Sequence, residues 1–146
     1  MLYKNLFIFL FLLFGTNLVM AEELRHHQRV DGMNIYLDVF PLPLAQKDEN
    51  MHGGVTDEKD NYHIVVTLFD IKTGKRITNA SVQASVEPLG IKYQTKDLEP
   101  MYGELNYGNY FTMYKAIHYN VKVEIRRANS ELKSVAMFIF KRPQDK

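Results

Sequence analysis

The side chains of this 146-residue sequence that are best suited to bind a ligand are its five histidines and seven methionines, since cysteine is absent. Met51-His52 stands directly before a Gly-Gly pair, His63 lies in an apolar run, and Met101 follows Pro100. Imidazole nitrogen and thioether sulfur are ligands that suit copper, Cu(I) above all. The pattern therefore predicts a transition-metal site, copper first, built from His63, Met101, His52 and Met51.

Each of these residues also has an ordinary structural interpretation. A histidine in a strand, such as His63, is often a hydrogen-bonded structural residue. A methionine such as Met101 is often a core filler. The segment from Met51 to Gly54 is also compatible with a flexible loop. Both interpretations of these residues stay open at the level of sequence.

Other kinds of chemistry have little support in the sequence. No serine stands in a G-x-S-x-G elbow, and no glycine-rich phosphate loop opens a helix. Because Lys plus Arg total 18 and Asp plus Glu total 17, no general positive field would attract nucleic acid. The sequence predicts neither an enzyme nor a nucleic-acid-binding protein.

The N-terminus has the layout of a secretory signal peptide. Lys4 precedes the apolar run Leu6–Phe14, and Val19-Met20-Ala21 supplies the small residues typical of a cleavage site. We expect residues 1–21 to be removed near Ala21 and residues 22–146 to form one domain outside the cytoplasm. An uncleaved membrane anchor is the alternative.

The elements that must position the ligand residues are short strands. Alternation of apolar and polar residues, with frequent turn signals, predicts an all-β protein. The expected strands are Met33–Val39, Tyr62–Phe69, Ala80–Val86, Ile91–Thr95, Asn109–Tyr114, His118–Arg126 and Leu132–Lys141. About seven antiparallel strands in this length are typical of an immunoglobulin-like β-sandwich, and a small barrel is the alternative.

The strand that carries His63 differs from the others. Tyr62–Phe69 is apolar at both odd and even positions, as expected for a central strand that is covered on both faces. The polar connection before it, Gln46–Asn61, is longer than usual, and loops of that length often have a function. The sequence thus predicts a buried His63 close to a functional loop.

Several motifs together resemble the small exported bacterial proteins described as YtkA-like. The resemblance covers nearly the whole chain after the signal segment. Its motifs are Gly32-Met33, Met51-His52-Gly53-Gly54, Tyr62–Val66, Leu98–Met101, Tyr107–Phe111 and Tyr119–Arg127.

A more distant resemblance is to the periplasmic iron-transport family, immunoglobulin-like sandwiches that bind copper and serve iron uptake. His63 resembles that family's early strand histidine, and Met101 after Pro100 resembles its methionine ligand. Asn106 stands where the family has a histidine before Tyr107-Gly108, and the family's late His-rich loop has no counterpart. The resemblance therefore implies only His63 and Met101 as ligands, with His52 or Met51 as substitutes for the missing ones.

We therefore expect a periplasmic copper-binding protein used in metal handling, with a link to iron uptake as the second expectation. The alternative is a non-metal β-sandwich module of a cell-envelope complex. The expected partners are the metal ion and an inner-membrane transporter or envelope protein, and a homodimer stays open. A site of imidazole and thioether should lose affinity below about pH 6, because protonated imidazole does not bind metal.

Overall fold

The computed structural model describes residues 26–42, 61–88, 94–101, 103, 105–113 and 118–143. The predicted signal segment and the predicted ligands Met51 and His52 lie outside these residues. Within them the chain forms eight strands: β1 (His27–Val30), β2 (Met33–Pro41), β3 (Asn61–Asp70), β4 (Ala80–Pro88), β5 (Gln94–Pro100), β6 (Tyr107–Thr112), β7 (His118–Arg127) and β8 (Lys133–Lys141).

The strands are joined in the order β1-β2-β3-β6-β5-β4-β7-β8, and every neighbouring pair is antiparallel. One layer contains β1, β2, β3 and β6, and the other contains β4, β7 and β8. Strand β5 pairs with β6 in the first layer and with β4 in the second. This arrangement confirms the prediction of an all-β antiparallel sandwich, with eight strands among the described residues where about seven were expected.

The core lies between the two layers and follows the predicted alternation. Met33, Ile35 and Leu37 of β2 are almost completely buried, while Tyr36 and Asp38, which alternate with them, are exposed. Tyr107 of β6 spans the core, because its hydroxyl donates to Ile77 O at 3.2 Å and accepts from Ala80 N at 2.9 Å. Burial raises the pKa of the Tyr107 hydroxyl, which therefore stays protonated.

Strand β1 was not predicted, although the sequence contains its signal. Asp31-Gly32 joins β1 to β2 as a two-residue turn, and both residues have positive φ, 47° and 77°. An Asp-Gly pair with positive φ at both positions is the preferred connection of a tight β-hairpin. His27 at the start of β1 is ordered by the hairpin and stacks on Tyr36 at 4.5 Å between ring centroids.

The strand boundaries around the later turn also differ from the prediction. The fifth strand was expected over Ile91–Thr95 but occupies Gln94–Pro100, and the sixth lies two residues earlier than expected. Pro100 is the last residue of β5, where a missing backbone N–H does little harm to the ladder. The prediction was wrong here because Lys96–Glu99, with three charged residues among four, lacks a clear apolar alternation.

The two ends of the strand order approach each other, so that the sandwich is nearly a closed barrel. The side-chain amide of Gln28 in β1 donates to Met137 O in β8, and its oxygen accepts from Met137 N at 3.2 Å. The Gln28 side chain thus makes the hydrogen bonds that a neighbouring strand would make with the edge of β8.

No helix among the described residues is long and apolar enough to cross a membrane.

Candidate metal site

Strand β3 places His63 on the face of the first layer that points away from the core. Tyr62, Ile64, Val66 and Leu68 belong to the core cluster, and His63 alternates with them. The His63 side chain is nevertheless completely buried. The expectation that this central strand is covered on both faces is therefore correct.

Gly108 of β6 marks the point where His63 and Met101 meet. A Cβ atom built on Gly108 would lie 2.7 Å from His63 Nε2 and 2.9 Å from Met101 Sδ. The imidazole nitrogen and the thioether sulfur are therefore at most 5.6 Å apart, the sum of those two distances. The structure brings together two of the four predicted ligand residues, on one face of one layer.

Met101 reaches this point because the chain turns sharply after β5. Its backbone N–H donates to Asn106 O at 2.9 Å, which extends the pairing of β5 with β6 by one residue. Gly103 and Leu105 in the turn have positive φ, 82° and 56°. Because the turn is tight, Met101 lies beside β6, and its side chain is buried.

Tyr110 covers the other side of the histidine ring. It is the direct cross-strand partner of His63, and the two rings stack with centroids 4.7 Å apart and planes 26° from parallel. Burial raises the pKa of the Tyr110 hydroxyl, so the ring next to the imidazole is neutral at ordinary pH. Stacking limits the rotation of His63 and helps to keep Nε2 directed at Gly108.

Asn106, which stands before Tyr107-Gly108, uses its side chain in hydrogen bonds within the chain. Its side-chain oxygen accepts from Thr67 Oγ1 at 3.0 Å and from Arg76 Nη1 at 2.5 Å. Two donors, one of them cationic, already use the lone pairs of this oxygen. Asn106 therefore fixes the turn next to Met101, and its oxygen is not available as a ligand in this arrangement.

One carboxylate that the sequence analysis did not single out lies opposite Gly108. Glu99 of β5 is the direct cross-strand partner of Gly108, so the two residues share a face of the layer. Its side chain is exposed. The sequence signal for Glu99 was its position two residues before Met101, since residues i and i+2 of a strand point the same way.

The remaining histidines among the described residues lie elsewhere. His26 Nδ1 is 3.3 Å from Leu37 O, His27 Nε2 is 3.1 Å from Asn34 Oδ1, and His118 is exposed at the start of β7. No group of three His, Asp or Glu side chains placed to hold a metal ion occurs in the described part of the chain. The candidate site within that part is thus the His63–Met101 pair at Gly108.

The geometry of this pair agrees with the needs of a soft metal ion. Metal ions bind imidazole nitrogen at about 2.0–2.1 Å and sulfur at about 2.3 Å. His63 Nε2 and Met101 Sδ both lie against Gly108 and are at most 5.6 Å apart, so both atoms could reach one ion after small movements of their side chains. One neutral nitrogen and one thioether form a donor set that prefers Cu(I) to harder ions such as Mg²⁺ or Ca²⁺.

Solved structures with the same fold include proteins from two bacteria. A DUF4426 family protein from Pseudomonas aeruginosa PAO1 superposes with a TM-score of 0.68 at 17% identity, covering 85% of this chain and 98% of that one. A copper-bound variant of FetP from uropathogenic Escherichia coli strain F11 gives 0.60 at 14% identity, covering 81% and 94%. FetP as isolated after expression in the periplasm gives 0.59 at 14% identity, covering 80% and 93%.

Comparisons at the level of sequence add no family. No family model matches the sequence, and no curated protein matches it significantly. The chain is therefore similar in fold to the DUF4426 protein and to FetP, and one solved structure of that fold contains copper.

Proposed function

We propose that this protein binds a copper ion between His63 and Met101 and serves in metal handling in the periplasm. The observation that carries the proposal is the closeness of His63 Nε2 and Met101 Sδ, which both lie against Gly108 and are at most 5.6 Å apart. The copper-bound FetP structure supports it, since that protein has the same fold. His52 and Met51 would complete the ligand set.

Support of iron uptake is the second part of this proposal, and delivery to an inner-membrane transporter or envelope protein is its expected route. A buried pair with no thiolate suits an ion that is carried and passed on, because binding by imidazole and thioether is weaker than binding by thiolates. We propose no catalytic step. Export itself predicts a mature protein whose first residue is Glu22, which N-terminal sequencing of the periplasmic fraction would test.

The test of copper binding is a titration with Cu(I) under reducing conditions against a competing chelator. His63→Leu and Met101→Leu each remove a donor atom while keeping an apolar side chain of similar size. We expect at least a tenfold loss of affinity in each variant and complete loss in the double variant. Met113→Leu, in a buried methionine of the core, and His118→Ala, in an exposed histidine, are the matched controls and should bind as the wild type does.

Equal binding by the wild type and the double variant would end the copper proposal. The alternative would then be the non-metal interaction module of a cell-envelope complex. Circular dichroism and thermal unfolding of the double variant ensure that a loss of copper reflects the missing donors. A variant that binds no copper but unfolds like the wild type supports the proposal.

A further inference from the structure

Four residues form a row across the first layer, perpendicular to its strands, at the level of the candidate site. Asp38 of β2 pairs with Val65 of β3, Val65 pairs with Gly108 of β6, and Gly108 pairs with Glu99 of β5. Directly paired residues point to the same face of a sheet. The row therefore has a carboxylate at each end, on the face that carries His63 and Met101.

The two carboxylates are not equally close to the point where the donors meet. Cβ atoms of directly paired residues are about 4.5–5.5 Å apart, a distance that a glutamate side chain can span. Glu99 is one strand from Gly108, whereas Asp38 is two strands away with Val65 between them. Glu99 thus has both the shorter distance to cover and the longer side chain.

The environment of Glu99 suits a carboxylate that reaches toward an ion. Its side chain is exposed, while His63 and Met101 below it are buried. Glu99 is thus a solvent-exposed carboxylate on the face that carries the buried pair. Carboxylate oxygen is a harder ligand than thioether sulfur, so its contribution is larger for Cu(II) than for Cu(I).

We propose that Glu99 is a third ligand of the ion held by His63 and Met101, and that it gives the site affinity for Cu(II) as well as Cu(I). This inference rests on the proposed function. Glu99 would thus add a carboxylate oxygen to the nitrogen of His63 and the sulfur of Met101. The negative charge of the carboxylate offsets part of the charge that a divalent ion brings to a buried site.

The experiment compares Glu99→Gln with Asp38→Asn in titrations of the full protein with Cu(II) under oxidising conditions and with Cu(I) under reducing conditions. Both substitutions replace an exposed carboxylate by an amide of the same size, so the fold should not change. We expect Glu99→Gln to weaken Cu(II) binding at least tenfold and Cu(I) binding less than threefold. The Cu(II) electron paramagnetic resonance spectrum should also change, and Asp38→Asn should match the wild type throughout.

The outcomes separate the two proposals. A wild-type protein that binds neither form of copper contradicts the proposed function itself. If the wild type binds Cu(I) but not Cu(II), or if Glu99→Gln binds both as tightly as the wild type, only the role of Glu99 is wrong. An equal loss of Cu(II) binding in Asp38→Asn and Glu99→Gln would indicate a general effect of surface charge and would also overturn it.

Discussion

Replacing Gly108 by alanine tests the copper site without removing any donor atom. The added methyl carbon would lie 2.7 Å from His63 Nε2 and 2.9 Å from Met101 Sδ, closer than such atoms approach in proteins, so at least one side chain must move. The backbone of Gly108 itself does not require glycine, since its φ is outside the positive region. The substitution therefore acts on the space between the donors.

The effect on stability should be small compared with the effect on binding. Overfilling a packed site costs about 1–3 kcal/mol. Replacing a strand glycine by alanine also stabilises the protein by about 0.5–1 kcal/mol, because alanine lowers the conformational entropy of the unfolded chain. We expect the free energy of unfolding to fall by about 0.5–2 kcal/mol. Affinity for Cu(I) should fall more than a hundredfold, since the methyl group would push the two donor atoms out of their present positions.

Thermal unfolding with and without Cu(I) measures both quantities. A ligand present at 100 times its dissociation constant stabilises the folded protein by about 2.7 kcal/mol. For a domain of this size that corresponds to an increase in Tm of roughly 10 °C. The wild type should show this increase and Gly108→Ala should show almost none.

Val65→Ala is the matched control for this experiment. Val65 is buried, is the cross-strand partner of Gly108, and faces the same side of the layer. Its truncation should destabilise the protein by about 1–3 kcal/mol through lost packing while leaving the donors and the space between them. If Gly108→Ala binds Cu(I) with wild-type affinity, the ion does not lie between His63 and Met101. If Val65→Ala loses copper equally, the loss reflects a loosened fold and the reasoning from Gly108 fails.

Three further predictions concern the fold. The Thr73 N–H at 2.9 Å, and to a lesser extent the Arg127 guanidinium, hold the pKa of Asp70 below its ordinary value. This stabilisation is complete above the ordinary pKa of about 4 and is lost as pH falls through the lower pKa of the folded state. In Asp70→Asn the free energy of unfolding, measured with denaturant, should therefore fall less steeply as the pH is lowered through this range. Gly32→Ala, at a φ of 77°, should lower the free energy of unfolding by about 1–2 kcal/mol, and an unchanged value would contradict the turn conformation. Gln28→Ala should speed hydrogen exchange of the Met137 amide and cost about 0.5–1.5 kcal/mol, whereas unchanged exchange would mean that this side chain does not protect the edge of β8.

The sequence predicts this fold well wherever local alternation carries the information. The alternation in β7 predicts four buried side chains, and the structure has all four buried: Tyr119, Val121, Val123 and Ile125. The central position of β3 was predicted from apolar residues at both odd and even positions of the strand. These signals are local, because the period of a strand is a property of consecutive residues.

The features that were missed have two different causes. The Asp31-Gly32 hairpin was readable from a local signal that the strand assignment overlooked. The role of Gly108 could not be predicted from the sequence, because it depends on the register of β3 against β6 and of β5 against β6. The partners in β3 and β6 are distant in sequence, and no local pattern fixes which residue of one strand faces which residue of the other. Glu99 had a local signal, its position two residues before Met101, but its place opposite Gly108 depends on the same register.

Side chains of β3 alternate between two faces, so the residues that stabilise the fold lie on one face and the residue that would bind the ion lies on the other. Ile64, Val66 and Leu68 pack into the core between the layers, whereas His63 points to the other face and meets Met101 there. Substitutions of the outer residues therefore leave the core contacts of the same strand in place. This arrangement allows residues on the outer face to vary while the core and the strand order remain the same. The same arrangement explains why low sequence identity with FetP and with the DUF4426 protein is compatible with a shared fold.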